Sequence, residues 1–202
     1  MTNQDIYGVR GRLRALVLMP ERDIVVFVEE QSAYEIVRAM ARKLDLDDRL
    51  TVLKHRGAGD LERSFARKIA SDPLPNSKFL VLRDADNKNC KTLKRQLGDL
   101  IPRDKRAKTI VRIVCQELEA WYLAQPEALR AAGALHREIP KKTLSGNVDA
   151  VANPKRIFLR HAHNKGQIEH ARRIGEHLDF GSTKSASFMH FVLSLRSLAA
   201  MR

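Results

Sequence analysis

The sequence lacks several features that would assign the protein to well-known classes. It has only two cysteines, Cys90 and Cys115, in 202 residues. That is too few for a disulfide framework, and reduced thiols are the expected state. No apolar run approaches the roughly 20 residues of a membrane-spanning helix, and the N-terminus has no convincing secretion signal. We therefore expect a cytoplasmic protein that does not contact a membrane.

Acidic side chains are scarce relative to basic ones. The chain has 24 Asp and Glu against 37 Lys and Arg, which gives a formal net charge of +13 at pH 7 and an isoelectric point near 10.1. A basic balance of this size favours a polyanionic partner, with nucleic acid as the leading candidate. A merely basic, solvated surface is the alternative.

Short apolar runs separated by amphipathic stretches indicate the fold. Four runs are expected to be buried strands: residues 24–28, 50–53, 79–82 and 109–114. A helical pattern follows each of the first three, ending near residues 44, 70 and 98, and Ser32 is the expected N-cap of the first helix. This alternation predicts an α/β protein with a parallel sheet flanked by helices.

The last third of the chain is expected to be helical. Asn153-Pro154 is typical of a helix start. Two apolar stripes should pack in the core: Ile168, Ala171, Ile174 and Leu178, and then Phe188, Phe191, Val192, Leu195 and Leu198. We therefore divide the chain into an N-terminal arm (residues 1–23), an α/β core (24–135) and a helical extension packed on that core (136–202).

A pair of acidic residues follows each of three expected strands: Glu29 and Glu30, Asp84 and Asp86, and Glu117 and Glu119. Ligands of open α/β sheets bind outside the carboxyl ends of the strands, and Mg²⁺ prefers oxygen ligands such as carboxylates. The pattern predicts one acidic pocket that binds Mg²⁺ or Mn²⁺. The alternative is that the acids are ordinary turn and helix-start residues.

Glu117 and Glu119 pose a geometric condition. If both residues lay within a helix, their side chains would point to different faces, because the residues are two positions apart. They converge only if Glu117 is still extended and Glu119 opens the helix, so Glu117 is the preferred ligand and Glu119 a candidate. Carboxylates that hold Mg²⁺ are suited to phosphodiester hydrolysis, and the basic surface favours a nuclease over a small-molecule phosphatase.

These residues resemble the motifs of the Toprim superfamily, the fold of topoisomerases, primases and OLD-family nucleases. Asp84-Ala85-Asp86 resembles its Asp-x-Asp motif in full. Glu29 stands at the strand-end Glu position, although Glu30, Ser32 and Ala33 stand where Gly, Thr and Glu are usual. The segments 116–121, 153–155 and 185–188 are similar to an uncharacterised bacterial group, the RloG-like proteins.

The resemblance implies a fold, an activity and partners. The fold would be a Toprim-like, Rossmann-like parallel sheet flanked by helices, with a helical C-terminal extension. The activity would be that of a Mg²⁺- or Mn²⁺-dependent nuclease of a bacterial phage-defence or restriction-associated system, with an ATPase encoded nearby as a partner. The basic residue near the metals in OLD-type nucleases makes Lys184 the first candidate for that catalytic position.

Several further residues are candidates for contacts with nucleic acid. Lys155 and Lys165 are expected phosphate contacts, although single lysines are more often simply solvated. Arg83 borders the acidic loop and is expected either to touch phosphate or to pair with an Asp. Trp121 is expected in the core rather than as a platform for bases. The repeated histidines His163, His170 and His177 are expected at the surface.

The leading hypothesis is thus a nuclease whose metal ligands are Glu29, Asp84 and Asp86, followed by Glu117 and Glu119. The alternative is a non-catalytic Toprim-like module that binds nucleic acid or an ATPase. A receiver-like phospho-acceptor domain is a third, weaker reading, because such domains also gather acids at strand ends. The sequence leaves open DNA or RNA as the substrate and allows a homo-oligomer.

Overall fold

The computed structural model describes residues 22–181 and 183–201. These residues form four strands: β1 (Ile24–Val28), β2 (Leu50–Lys54), β3 (Lys78–Asp84) and β4 (Thr109–Val114). The helices are α1 (Gln31–Lys43), α2 (Ala58–Ala70), α3 (Cys90–Asp99), α4 (Glu119–Leu123), α5 (Pro126–Ala131), α6 (Lys141–Leu144), α7 (Pro154–His161), α8 (Gln167–Gly175) and α9 (Ala186–Ala200). The predicted arm lies outside the described residues except at positions 22 and 23.

The four strands form one parallel sheet in the order β2-β1-β3-β4. Val26 at the middle of β1 is level with Val52 on one side and Leu80 on the other. All five residues of β1 are buried, as expected for a strand covered on both faces. The predicted α/β fold with a parallel sheet is confirmed.

Helices cover both faces of the sheet. On one face, α2 and α3 pack over Phe27 and Phe79. On the other, α1, α4, α8 and α9 share a larger core. Trp121 is fully buried there, with its ring centroid 5.3 Å from those of Phe188 and Phe191. The expectation that Trp121 belongs to the core is confirmed.

Helix α8 approaches α1 closely, and Gly175 makes this approach feasible. A Cβ atom added at Gly175 would lie 2.7 Å from the Cβ of Ala39. Real carbon atoms pack at about 3.5–4.0 Å, so only glycine fits without displacing a helix. The helical C-terminal segment is thereby joined to the core of the sheet.

Three details differ from the sequence-based expectations. Glu30 rather than Ser32 is the N-cap of α1, and the Ser32 hydroxyl donates a hydrogen bond back to the Glu30 carboxylate. Ile168 is 44% exposed because it lies in the first turn of α8, away from the core. His170 is buried against the Phe158 ring at 5.2 Å, whereas His163 and His177 are exposed as predicted.

None of the helices within the described residues combines the length and the apolar character that crossing a membrane would need.

Candidate functional site

The strand order brings the three acidic pairs together. Strands β1, β3 and β4 are consecutive in the sheet and parallel, so their carboxyl ends share one edge. Hydrogen bonding continues past the strands: the backbone N–H of Ala85 donates to the carbonyl of Val114 at 2.9 Å, and that of Asp86 donates to Gln116 at 3.0 Å. The loop carrying the aspartates and the loop carrying the glutamates are therefore fixed to each other by backbone contacts.

The Asp84–Asp86 loop turns sharply at the end of β3. Asp84 is the last residue of the strand, and its Oδ2 accepts a hydrogen bond from the Leu118 backbone N–H at 3.2 Å. Asp86 and Asn87 have left-handed backbone angles, with φ of 46° and 66°. Asp and Asn tolerate this conformation better than most residues. The turn leaves Asp84 half-buried and Asp86 exposed.

The geometric condition on Glu117 and Glu119 is met. Gln116 takes a left-handed turn with φ of 67°, and α4 begins only at Glu119. Glu117 therefore precedes the helix and Glu119 opens it. The Oε2 atom of Glu117 accepts a hydrogen bond from the backbone N–H of Lys155 at 3.1 Å, which ties this loop to the start of α7.

The carboxylates are close enough to affect one another's protonation. Burial, followed by the negative charges of Glu29 and Glu119, raises the pKa of Asp84 well above its usual range, and the hydrogen bond from Leu118 only partly opposes this shift. Burial also raises the pKa of Glu29, with a lowering effect from Arg83 and smaller raising effects from Asp86 and Glu30. Such mutual repulsion is typical of carboxylates that share one site.

The pKa of Glu119 is also affected by burial and by neighbouring charges. Its side chain is almost fully buried, and burial is the main cause that raises its pKa from 4.5 to about 7. The positive charge of Lys155 lowers this pKa, and Glu117 and Glu30 raise it. Behind it, the buried Tyr122 hydroxyl has no hydrogen-bond partner within the described residues, and burial raises its pKa.

Arg83 supplies positive charge inside this acidic site. Its side chain is only 1% exposed, and its Nη1 lies 2.9 Å from Glu29 Oε2 and 2.8 Å from Asp86 Oδ2. Its Nε lies 3.2 Å from Glu62 Oε1. Of the two arrangements expected for Arg83, the structure therefore has the pairing with an Asp. A contact with phosphate would require these ion pairs to open.

The side chains offer oxygen donors of the type that a hard cation binds. Glu29 Oε2 is buried and accepts no hydrogen bond within the described chain, although it lies 2.9 Å from Arg83 Nη1. In residues 22–181 and 183–201 no three such side chains are arranged to hold one ion as they stand, and Arg83 lies between two of them. The donor set fits a divalent cation in chemistry, and binding would require Arg83 to move or share the acids.

The predicted lysines lie in different places. Lys155 is half-buried at the start of α7, next to Glu117 and near Glu119. Lys184 is exposed, and its ammonium donates to the Leu144 carbonyl at 3.0 Å. Lys165 forms an exposed ion pair with Glu169 at 2.9 Å. Only Lys155 is thus joined to the acidic loops by a contact in the described part of the chain.

A cleft that the sequence analysis missed opens beside Glu117. Its volume is about 510 Å³, and it is lined by Glu117, Asn153, Lys155, Arg156, Leu159 and Arg160. The available signal was the spacing of Lys155, Arg156 and Arg160 on a helix, since residues four apart lie on one face.

Comparison with solved structures identifies the fold. The C-terminal region of the Burkholderia pseudomallei OLD protein superposes with a TM-score of 0.54 at 17% identity, covering 88% of this chain and 98% of that chain. The C-terminal region of the Xanthomonas campestris pv. campestris OLD protein gives 0.49 at 18% identity, covering 89% and 97%. The first of these superpositions shows that the molecule has the Toprim-like α/β fold of the OLD C-terminal region.

The family follows from the sequence itself. The model of the family described as "Domain of unknown function (DUF4276)" matches residues 18–196, and the chain belongs to that family. A search of curated proteins finds no match.

Proposed function

We propose that the protein is a Mg²⁺-dependent nuclease that hydrolyses phosphodiesters of DNA or RNA. The observation that carries the proposal is the convergence of six carboxylates at the carboxyl ends of three adjacent parallel strands, in a chain with a net charge of +13. Carboxylates that raise one another's pKa are typical of functional sites. The fold shared with the OLD C-terminal region agrees with this activity.

The proposed ligands are the acids of the three loops. Glu29, Asp84 and Asp86 would hold the cation, with Glu117 next and Glu119 in addition. Bound Mg²⁺ or Mn²⁺ supplies a more acidic water and neutralises charge on the phosphate oxygens. Basic side chains of the chain itself would bind the substrate. Lys155 and Lys165 attract the backbone, and Lys184 is the proposed basic catalytic residue. Arg83, which pairs with Glu29 and Asp86, would share these acids with the cation.

The setting of the activity is also a proposal. We infer a cytoplasmic protein of a bacterial phage-defence or restriction-associated system that works with an ATPase encoded nearby. The basic surface supports a polyanionic substrate. Cleavage by the isolated chain is the first requirement, and addition of the ATPase is the second arm of the test.

The test is a cleavage assay on plasmid, single-stranded DNA and tRNA with Mg²⁺ or Mn²⁺ and an EDTA control. The Asp84→Asn/Asp86→Asn variant should lose cleavage. The matched control is Asp99→Asn/Asp104→Asn, since both of these acids are exposed and outside the site. Cleavage that survives in the first variant, or that is lost equally in the second, would exclude the proposed site.

A non-catalytic binding module is the second candidate, and Arg83 is the observation that favours it. A buried guanidinium already neutralises Glu29 and Asp86, as in a site that no longer needs a metal. Melting temperature separates the two functions. A nuclease site should be stabilised by millimolar Mg²⁺ or Mn²⁺ and lose that gain in Asp84→Asn/Asp86→Asn. A degenerate site should show no metal-dependent shift.

A further inference from the structure

Helix α7 divides its side chains between the core and the cleft. Pro154, Phe158 and His161 are buried, and they recur at the spacing of one helix face. The next face carries Lys155, Arg156, Leu159 and Arg160, all of which line the cleft. Arg156 and Arg160 are four residues apart, so their guanidinium groups extend from neighbouring turns. The cleft thus has three positive side chains and one apolar side chain, with Glu117 at its edge.

The basic groups of this cleft have no acidic partner within the described part of the chain. Within residues 22–181 and 183–201, Lys155, Arg156 and Arg160 make no ion pair with an acid. Arg130 and Arg172, by contrast, are paired with Glu138 and Glu35. Unpaired arginines projecting from one helix face are typical of phosphate recognition, because guanidinium groups bind phosphate oxygens in bidentate fashion.

The cleft is continuous with the acidic site. Glu117 lines the cleft and accepts the Lys155 backbone N–H at 3.1 Å. An anion held by α7 would therefore lie beside the carboxylates of the β4–α4 loop rather than at a remote surface.

We propose that the α7 cleft binds the backbone phosphates of a nucleic-acid strand. Arg156 and Arg160 contact successive phosphates, Lys155 contacts the phosphate next to Glu117, and the 41% exposed Leu159 packs against a sugar or base. A strand is favoured over a free nucleotide because the positive groups are spread over about 7.5 Å of the helix axis, five residues at about 1.5 Å each. The delivery of a phosphodiester to the acids depends on the proposed nuclease function, but the binding itself does not.

The size of the effect follows from counterion release. Each phosphate contact to a single strand contributes about −0.7 to the slope of log affinity against log salt. Replacing two arginines should make the slope shallower by about 1.4. If both proteins bind equally at 1 M salt, the variant's affinity should be roughly 70-fold weaker than that of the wild type at 50 mM salt and about tenfold weaker at 200 mM.

The experiment measures binding of a labelled 20-nucleotide single strand by fluorescence anisotropy, with EDTA present so that cleavage plays no part. Arg156→Ala/Arg160→Ala is compared with the full-length wild type over 50–200 mM salt. The matched control is Arg63→Ala/Arg67→Ala, which removes two exposed arginines with the same spacing from α2, on the opposite face of the sheet. Melting temperatures verify that each variant folds.

The expected result is a weaker affinity and a shallower salt slope in the α7 variant, near wild-type behaviour in the α2 control, and partial rescue by Arg156→Lys/Arg160→Lys. Equal losses in both alanine variants would show a diffuse basic surface and overturn the proposal. ATP is also tested as a competitor. If ATP binds the cleft as tightly as the 20-mer does, the ligand is a mononucleotide, and the proposal of a bound strand is overturned. If the protein binds the strand but does not cleave nucleic acid, the result counts against the proposed nuclease function and leaves the proposed strand binding intact.

Discussion

Replacing Glu119 by Gln should stabilise the protein strongly at alkaline pH and much less near pH 5. The Glu119 side chain is almost fully buried, and its pKa is about 7 against 4.5 for an unperturbed Glu. Raising the pKa from 4.5 to about 7 corresponds to about 3 kcal/mol, since a tenfold change in proton affinity is worth about 1.4 kcal/mol. Glutamine has nearly the same shape and carries no charge at any pH.

The sign follows from proton binding. Because the folded protein holds the Glu119 proton more tightly than the unfolded chain does, folding is favoured below pH 4.5, where Glu119 is protonated in both states. This contribution is lost as the pH rises from 4.5 to about 7, and it stays lost above that range. The wild type should therefore fall behind Glu119→Gln by up to about 3 kcal/mol between pH 5 and pH 8.5.

The assay is urea unfolding of both proteins at several pH values from 5 to 8.5, in EDTA so that no cation neutralises the site. Asp99→Asn on α3 is the control, since this exposed acid should leave the pH profile of stability unchanged. A difference between wild type and Glu119→Gln that does not vary with pH would refute the reasoning. A variant that is less stable at pH 8.5 would refute it as well.

Three further outcomes are expected. Arg83→Met should lower the free energy of unfolding by about 3–5 kcal/mol in urea titrations, because it leaves the carboxylate of Glu29 buried without its cation, whereas a loss below about 1 kcal/mol would contradict the buried pairing. Gly175→Ala should cost about 1–3 kcal/mol through its clash with α1, and an unchanged melting temperature would exclude that clash. Cys90 and Cys115, whose sulfurs are 3.3 Å apart as free thiols, should form an intramolecular disulfide with diamide and lose about 2 Da in mass, and Cys90→Ser should prevent this.

The sequence predicted the α/β alternation well because each buried strand of a parallel sheet appears as a continuous apolar run. Strand β1 and the end of β4 lie where those runs placed them. The acidic pairs were also recognisable, since they follow the strands directly. The adjacency of their three strands depends on sheet order, which tertiary packing decides.

The features that could not be predicted from the sequence depend on contacts with residues distant in the chain. Arg83 ends an apolar run and is surrounded by carboxylates from two distant segments, Glu29 and Glu62, and by Asp86 of its own loop. His170 is buried because the ring of Phe158, from another helix, covers it. Ser32 was a reasonable N-cap by residue type, but the helix begins earlier, at Gln31. For Arg83 and His170, local propensity was outweighed by packing.

The backbone hydrogen bonds that join the acidic loops have a consequence for dynamics. Because Ala85 and Asp86 donate to Val114 and Gln116 across the end of the sheet, these loops open only when β3 and β4 separate. Their amides should therefore exchange hydrogen as slowly as the central strands do. A ligand of the acids would then stabilise the whole cooperative unit rather than order a local loop. Its binding free energy would appear in full as an increase in the free energy of global unfolding.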